Sequence, residues 1–255
     1  MSTTQSPAVM YFEVRGAGEP VLLIPGTPGD GGQFNPLADI LGERFSVITY
    51  DRAGASRSAG LRSVTPAEHA NDAANLLREQ ARGPAIAYGT SNGALVALEL
   101  AVRHPELVSR VVLHEPPLLS VLADPEPVGA MLGELIGAAM EHGGPPAALD
   151  AFLRFAYGAE VVDSLPESLR GRMLDNAETV FATELPAFQA YRPDEASVAT
   201  IDPEVVVAVG DDQQVPFFLE AAGWIADRAG CDITRSPGAH GPQFTCPAAL
   251  ARAIF

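Results

Sequence analysis

Lysine is absent from this chain, and basic residues of any kind are scarce. All 16 basic side chains are arginine, and they face 32 carboxylates, which gives the 255 residues a formal net charge of −16. A charge of this sign and size repels phosphate backbones and anionic lipid headgroups. The composition therefore argues against nucleic acid and membrane surfaces as partners.

Cysteine and long apolar runs are scarce as well. The two cysteines, Cys231 and Cys246, are too few to indicate a disulfide scaffold in a domain of this size, so we expect reduced thiols. No stretch approaches the roughly 18 consecutive apolar residues that a membrane span needs. Residues 1–7 lack the basic and apolar regions of a secretory signal. We therefore expect a cytoplasmic enzyme.

What the chain does contain is a regular alternation of short apolar runs and helical patterns. Its length fits one large α/β domain or two small ones. Thr65 and Glu68 form a capping-box pattern that begins a helix through about residue 80. Strands are predicted at residues 9–14, 20–24, 45–50, 86–90, 108–113, 204–210 and 232–235. This order predicts an α/β fold with a mostly parallel, doubly wound sheet and helices on both faces.

The alternation stops between residues 118 and 200, where no strand signal occurs. Helical patterns cover residues 127–140, 147–157 and 169–188 instead. An all-helical insert between two strands of a parallel sheet is expected to lie over the carboxyl ends of the strands. We therefore predict a core of residues 1–117 and 201–255, with an inserted helical cap at 118–200 that roofs a substrate pocket.

The functional prediction is organised around residues 86–93, Ile-Ala-Tyr-Gly-Thr-Ser-Asn-Gly. An apolar run ends there in Gly-x-Ser-x-Gly and changes at once to helical spacing, which predicts a tight strand-to-helix turn at Ser91. A serine at such a turn has a strained backbone, and its hydroxyl projects above the sheet. Because a free serine hydroxyl is a weak nucleophile, the motif indicates catalysis only where a histidine reaches it. Without one, it is an ordinary turn.

Two loops rich in small residues follow other predicted strands. Residues 25–32 hold four glycines and two prolines, so main-chain N–H groups can come close to a ligand, although a plain connection has the same composition. The second loop, residues 51–58, begins with Asp51. Its carboxylate is either catalytic or, as we favour, fixes the turn by accepting from main-chain N–H groups, Arg52 or Arg57.

These pieces, in this order, resemble the α/β-hydrolase family, with its serine elbow and its Ser–acid–His chain order. The resemblance implies Ser91 as the nucleophile of a catalytic triad and His240, in the loop after the last strand, as the base. It also implies the main-chain N–H groups of Thr27 and Asn92 as the oxyanion hole. The sequence departs from the family at Pro25, where many members carry histidine, and this alters how the loop is braced.

The resemblance leaves the triad acid open. Gly210-Asp211-Asp212-Gln213 resembles the family's Gly-Asp-x-Asp but is one residue shorter, so either aspartate could be displaced; Asp212 is our first choice, Glu115 the alternative, and Asp211 also stays open. Some members, haloalkane dehalogenases among them, place the acid after the preceding strand, where this chain has Glu115. A carboxylate that organises the entrance to the cap is the other interpretation of Glu115.

The remaining four histidines have weaker patterns. We interpret His69 and His142 as surface residues and His104 as a helix end. His114 lies at a strand terminus on the active face, and its role stays open. Because the histidines are scattered, no metal site is predicted, and the chemistry calls for no organic cofactor.

The function predicted from these residues is that of a serine hydrolase, a carboxylesterase-like enzyme, which cleaves an ester, lactone or thioester of an apolar small molecule through an acyl-serine. The alternative on the same fold is a cofactor-free perhydrolase resembling haloperoxidases, an oxygenase, or a cyclase of a natural-product pathway. A non-catalytic receptor is a third possibility. Thioesterase action on a carrier protein would need a basic rim, for which the cap offers Arg154, Arg170, Arg172 and Arg192. A homodimer is possible.

Overall fold

The structure, a computed structural model, describes residues 9–255. At its centre is a seven-stranded sheet with the spatial order β1-β3-β2-β4-β5-β6-β7. β1 pairs antiparallel with β3, and the other five pairings are parallel. The strands are β1 (Phe12–Arg15), β2 (Pro20–Ile24), β3 (Ser46–Tyr50), β4 (Ala85–Thr90), β5 (Val108–His114), β6 (Glu204–Gly210) and β7 (Ile233–Ser236).

Helices connect the strands and fill the region between β5 and β6. They are α1 (Asn35–Leu41), α2 (Pro66–Gln80), α3 (Asn92–Arg103), α4 (Glu126–Tyr157), α5 (Ala159–Ser164), α6 (Glu167–Asp175), α7 (Ala177–Thr179), α8 (Leu185–Gln189), α9 (Glu195–Ala199), α10 (Pro216–Ala229), α11 (Pro242–Thr245) and α12 (Pro247–Ile254). A π-helical turn, Val180–Glu184, joins α7 to α8. Short 3₁₀ turns lie at Gly31–Phe34, Ser56–Ser58, Pro105–Leu107 and Leu119–Val121.

The sheet is covered by helices on both faces, as the sequence predicts. Alternate residues of β2 enter different cores: Leu22 and Ile24 pack with α2 and α3, whereas Val21 and Leu23 pack with α1 and α12. All five residues of β2 are buried. A strand buried on both faces is typical of a parallel sheet, which explains why this run is continuously apolar.

The order and the approximate bounds of the predicted core elements are confirmed. Thr65 caps α2 in a complete capping box with Glu68, and this helix ends at Gln80. The largest difference in the sheet is at the amino terminus, where β1 begins at Phe12 rather than at residue 9.

The chain between β5 and β6, which we call the helical insert (residues 118–200), contains α4 to α9 and no strand among its residues, all of which are described. The sequence predicts two helices, at residues 127–140 and 147–157, and α4 does consist of two helices, which meet at a kink where Gly144 (φ 69°, ψ −166°) has a non-helical backbone. The insert contacts the loop after β2: Arg172 Nε donates to Asp30 Oδ2 at 2.8 Å, and Asn176 Nδ2 donates to Pro28 O at 3.0 Å. Its division from the core as a separate domain stays a prediction.

Within residues 9–255, no helix combines the length and the apolar character that crossing a membrane requires. The expectation of a cytoplasmic enzyme draws partly on residues 1–7, which lie outside the described residues, and it stays a prediction.

Candidate active site

Ser91 lies on the turn between β4 and α3 in a strained backbone conformation, with φ 54° and ψ −131°. The two glycines of the motif allow this turn, because a Cβ at Gly89 would overlap the carbonyl of Gly93, and a Cβ at Gly93 would overlap the carbonyl of Ile24. The predicted elbow is therefore present. A non-glycine residue in such a conformation costs about 1–3 kcal/mol and is typical of active sites.

The loop after β2 lies against the serine. The position that a Cβ would take on Gly26 is 3.6 Å from Ser91 Oγ, so the hydroxyl is next to the residue that precedes Thr27. Within residues 9–255, the main-chain N–H groups of Thr27 and Asn92 have no hydrogen-bond acceptor. Two unpartnered donors beside a serine hydroxyl are able to receive an oxyanion.

The side chains of Thr27 and Asn92 are also joined. Asn92 Nδ2 donates to Thr27 Oγ1 at 2.8 Å, and Thr27 Oγ1 donates to Glu184 Oε1 at 2.8 Å. Arg52 Nη2 donates to the same Glu184 oxygen at 2.7 Å. The sequence offers no signal for Glu184, one of many carboxylates in the helical insert, because only the fold brings residues 27 and 184 together.

Glu115 is the carboxylate that the structure joins to the histidine. His240 Nδ1 donates to Glu115 Oε2 at 2.6 Å, and the same carboxylate accepts from the Gly210 N–H at 2.9 Å and from Gln213 Nε2 at 2.6 Å. Burial raises the pKa of the Glu115 carboxyl, but its hydrogen bond with His240, the charge of His240 and the Gly210 N–H outweigh burial and lower the pKa to about 2.

The first choice of acid, Asp212, is therefore wrong as the partner of His240. Asp211 and Asp212 lie in an exposed turn after β6, and the Asp212 main-chain N–H donates to Gly238 O at 3.0 Å. With one residue fewer than the family motif, the turn closes before an aspartate side chain reaches the histidine. Glu115, at the end of the neighbouring strand β5, takes that place.

His240 is buried, and aromatic rings surround its imidazole. The ring of Phe218 stacks on it at a centroid distance of 4.5 Å, and that of Tyr157, from α4 of the insert, at 5.7 Å. No hydrogen bond joins His240 to Ser91 Oγ in the described part of the chain. Because Nδ1 is held by Glu115, Nε2 is the nitrogen left for the serine.

Main-chain pairing places Ser91 and Glu115 on adjacent strand ends. The Ser91 N–H donates to the carbonyl of His114, the residue before Glu115, at 2.9 Å. Ser91 and His240 are 8% and 4% exposed, so little of either residue faces solvent. Catalytic hydrogen bonds are often long in unliganded enzymes and tighten once substrate is bound.

His114, which the sequence leaves open, is a buried core residue. Its Nδ1 pairs with Thr90 Oγ1 at 3.2 Å and its Nε2 with Ser236 Oγ at 3.1 Å, so both ring nitrogens are occupied. Burial, together with the charge of His240, lowers the pKa of His114 to about 4, and the ring is neutral near pH 7.

His69 is not the surface residue that the sequence indicates. Its side chain is buried against the Phe188 ring, and its Nε2 lies 3.3 Å from Arg52 Nη1. Burial and the Arg52 guanidinium lower its pKa well below the usual range. The helical insert covers this part of α2 with Phe188, which the pattern of α2 alone does not reveal. His142 is exposed and His104 ends α3, as predicted.

Asp51 fixes its turn, which is the role that the sequence favours. Its carboxylate accepts from the Gly31 N–H at 2.8 Å and from Arg57 Nε at 2.7 Å. Asp51 is therefore committed to the loops after β2 and β3.

Comparisons with known proteins bear on the family and on the fold. A family model described as the alpha/beta hydrolase family matches residues 21–253. The chain is 41% identical over 127 residues to the uncharacterized hydrolase YraK of Bacillus subtilis (strain 168), an alignment that covers 47% of this chain and 46% of that protein. The chain thus spans less than half the length of this curated relative.

Two solved structures share the fold over nearly the whole chain. The enol-lactonase from Burkholderia xenovorans LB400 superposes with a TM-score of 0.76 at 19% identity, covering 96% of this chain and 94% of that one. A thermophilic esterase from Thermogutta terrifontis superposes with a TM-score of 0.74 at 23% identity, covering 99% and 94%. At these identities, the likeness shows the fold alone.

Proposed function

The chain belongs to the alpha/beta hydrolase family, and on that premise we propose that it is a serine hydrolase that cleaves an ester, lactone or thioester of an apolar small molecule. Ser91 is the nucleophile, His240 the general base and Glu115 the triad acid. The Thr27 and Asn92 main-chain N–H groups form the oxyanion hole.

The reaction has two halves. His240 Nε2 takes the proton of Ser91 Oγ while this oxygen attacks the acyl carbonyl, and the two N–H groups stabilise the resulting oxyanion. The imidazolium then returns the proton to the leaving alcohol or thiol, and an acyl-serine remains. Water attacks the acyl-serine in the same way, which releases the carboxylic acid and restores Ser91.

The observation that carries this proposal is the 2.6 Å hydrogen bond between His240 Nδ1 and Glu115 Oε2. It fixes the tautomer with the proton on Nδ1, so Nε2 is free to accept a proton. The ionised carboxylate also stabilises the imidazolium that forms when the serine attacks. A solitary elbow serine would have neither effect.

A neutral, apolar substrate fits the surroundings of the site. The rings of Phe218 and Tyr157 stack on His240, and Glu115 and Glu184 are buried carboxylates.

The guanidinium of Arg52, the buried cation of this region, is held by Pro25 O, His69 and Glu184. An anionic substrate group would therefore find no free counter-ion on Arg52, and burying an unpaired charge is costly.

Labelling of the serine tests the proposal. We expect phenylmethylsulfonyl fluoride to modify Ser91 stoichiometrically and to abolish hydrolysis of p-nitrophenyl butyrate. Ser91→Ala should nearly abolish turnover, because the nucleophile and its base act as a unit. A wild-type protein that resists labelling, together with a fully active Ser91→Ala variant, would refute it.

The other functions stay predictions. Perhydrolase, oxygenase and cyclase chemistry are separated from hydrolysis by comparing p-nitrophenyl ester cleavage with peroxide-dependent oxidation. Three of the four arginines that could form a basic rim for a carrier protein are already paired, Arg154 and Arg170 with Asp150 and Arg172 with Asp30. A homodimer is likewise still only expected.

A further inference from the structure

A continuous set of side-chain hydrogen bonds runs from the predicted oxyanion hole into the helical insert. It begins at Asn92 Nδ2, passes through the hydroxyl of Thr27 and ends on the Glu184 carboxylate, with both hydrogen bonds at 2.8 Å. All three side chains are buried. The proposed reaction uses only the main-chain N–H groups of Thr27 and Asn92 and assigns no role to these three side chains.

The Thr27 hydroxyl has a defined orientation in this set. It has one proton, which it donates to Glu184, and it accepts from Asn92, so each neighbour restricts the hydroxyl from a different direction. The two residues whose N–H groups face the oxyanion are thus linked to each other through their side chains. Their separation depends on this link as well as on the backbone.

Glu184 is itself anchored in the core. Arg52, which is fully buried, donates to Glu184 Oε1 at 2.7 Å and through its Nε to Pro25 O at 3.0 Å. A weaker contact of 3.4 Å joins Arg52 Nη2 to Gly26 O. The ion pair therefore holds both the backbone before Thr27 and the side chain of Thr27. It braces the loop in which the sequence has Pro25 where many family members have histidine.

We infer that Glu184 and the Thr27 hydroxyl are positioning residues, which set the two oxyanion-hole N–H groups at their working separation and do so only while the helical insert is docked on the core. This inference rests on the proposed function. Glu184 does not touch the substrate carbonyl in this role, since it acts through Thr27. Its π-helical turn is of a kind often found at functional sites, and here it carries Glu184 at its last position.

The test compares Thr27→Val with Thr27→Ser on p-nitrophenyl butyrate. Valine keeps the shape and the main-chain N–H but removes both hydrogen bonds, whereas serine keeps the hydroxyl. We expect Thr27→Val to lower kcat by about 10- to 100-fold, since a misplaced donor loses part of the stabilisation that its deletion would remove. KM should change by less than about twofold, because the link acts on the transition state. Thr27→Ser should restore most of kcat.

A second readout reports the oxyanion hole directly. An arylboronic acid forms a tetrahedral adduct with a serine nucleophile, and we expect its inhibition constant to rise in Thr27→Val by a factor similar to the fall in kcat. Thr183→Val is the matched control: its hydroxyl is exposed, donates to Thr179 O at 2.9 Å and lies one residue from Glu184. This control should behave as wild type.

A double-variant cycle tests the part of Glu184. Glu184→Gln keeps an acceptor for Thr27 but weakens the link to Arg52, and its effect on kcat should be at least about threefold smaller in the Thr27→Val background than in wild type. If Thr27→Val does not fold, Asn92→Ala cuts the same link at its other end and keeps the Asn92 N–H. It should then give the same loss in kcat.

The inference is overturned if Thr27→Val keeps kcat within about threefold of wild type, if the loss lies in KM alone, or if Thr27→Ser is as impaired as valine. Failure of the proposed function is distinct, because the wild-type protein would then resist labelling at Ser91. Labelled, active wild type with an unaffected Thr27→Val variant refutes this inference alone.

Discussion

Glu115 has a backbone that its residue type rarely adopts, with φ 47°. Ser91, with φ 54°, has the same kind of strain. Each such conformation costs about 1–3 kcal/mol, and the surrounding structure must impose it. Ser91 and Glu115 follow the last residues of adjacent strands, β4 and β5, and both belong to the proposed triad. Within residues 9–255, the third non-glycine residue with positive φ is Ser56 (φ 44°), in the turn after β3 and outside the triad. Two of the three strained residues are therefore ones whose placement the proposed chemistry needs.

Replacing Glu115 by glutamine should nearly stop catalysis. Glutamine at this position keeps the shape, but its amide N–H₂ can face His240 Nδ1, which favours the tautomer with the proton on Nε2. We expect Glu115→Gln to lower kcat by about 10³- to 10⁴-fold, as loss of the orienting carboxylate does in serine proteases. The measurement is steady-state hydrolysis of p-nitrophenyl butyrate by the purified variant.

Asp212→Asn is the matched control, because Asp212 is exposed and contributes only main-chain contacts to the loop of His240. Its kcat should stay within about twofold of wild type. The opposite pattern, with an impaired Asp212→Asn and an active Glu115→Gln, would make Asp212 the acid, as the sequence pattern predicts.

Ser91 and His240 can be singled out from sequence because each lies in a local pattern: glycines on both sides of the serine, and a loop histidine after the last strand. The proposed triad acid cannot be chosen in that way. Asp212 and Glu115 both follow strands whose carboxyl ends meet, and only the path of a turn one residue shorter decides between them. The surface position expected for His69 is wrong for a related reason, since Phe188 of the insert covers this residue.

At the level of the elements, the turn between β4 and α3 depends on a close approach of backbones. A Cβ on Gly93 would overlap the carbonyl of Ile24 in β2, which cannot move without disturbing the sheet. We therefore expect Gly93→Ala to destabilise the protein by at least about 2 kcal/mol, in the range of overpacked cores. Urea unfolding followed by circular dichroism measures this change.

Gly129→Ala is the control, and we expect it to change the stability of the protein in the opposite direction. Gly129 lies inside α4, and no neighbouring atom lies within 4 Å of the position that a Cβ would take, so alanine meets no obstacle there. The higher helix propensity of alanine should stabilise the helix by about 0.5–1 kcal/mol. Equal effects of the two substitutions would show that helix propensity, and not the approach to β2, determines the response at Gly93.

Periodicity predicts the elements of the core well because strand and helix alternate in single, uninterrupted patterns. It also predicts the break in α4, because its helical patterns stop at residue 140 and resume at residue 147, on either side of the non-helical Gly144. It fails where a helix changes its internal hydrogen bonding. The π-helical turn at Val180–Glu184 is invisible to a helical pattern, although it places Glu184 on Thr27. Contacts between distant segments, such as this one, have no local signature.

At the level of the whole molecule, buried neutral histidines should make the fold sensitive to acid. The pKa of His114 is lowered to about 4 from an ordinary value of 6.5, so the unfolded chain binds a proton in this window that the folded chain does not. The free energy of unfolding therefore falls as the pH drops from 6.5 to 4, by about 3 kcal/mol for this residue. His69, whose pKa is also lowered, acts in the same direction.

Glu115 extends the acid sensitivity to lower pH. Its pKa is about 2 in the folded protein against an ordinary 4.5, so its contribution is complete above pH 4.5 and is lost as the pH falls toward 2. The histidines therefore act first on acidification, and the carboxylate follows. Above pH 4.5, the change of the unfolding free energy with pH should come from His114, His69 and His104, whose pKa burial and Arg78 also lower, and not from Glu115.

His114→Gln isolates the part of the acid sensitivity that His114 causes. Glutamine does not titrate and can still pair with Thr90 and Ser236, so we expect the variant to lose less stability than wild type between pH 6.5 and pH 4.5, even if it is less stable at pH 7. Urea unfolding at several pH values in this window measures the slope. His142→Gln, at an exposed position, should keep the wild-type slope. If His114→Gln keeps the wild-type slope as well, the proton that is taken up on unfolding belongs to another group. The buried hydrogen bonds of His114 with the Thr90 and Ser236 hydroxyls then do not keep its imidazole neutral.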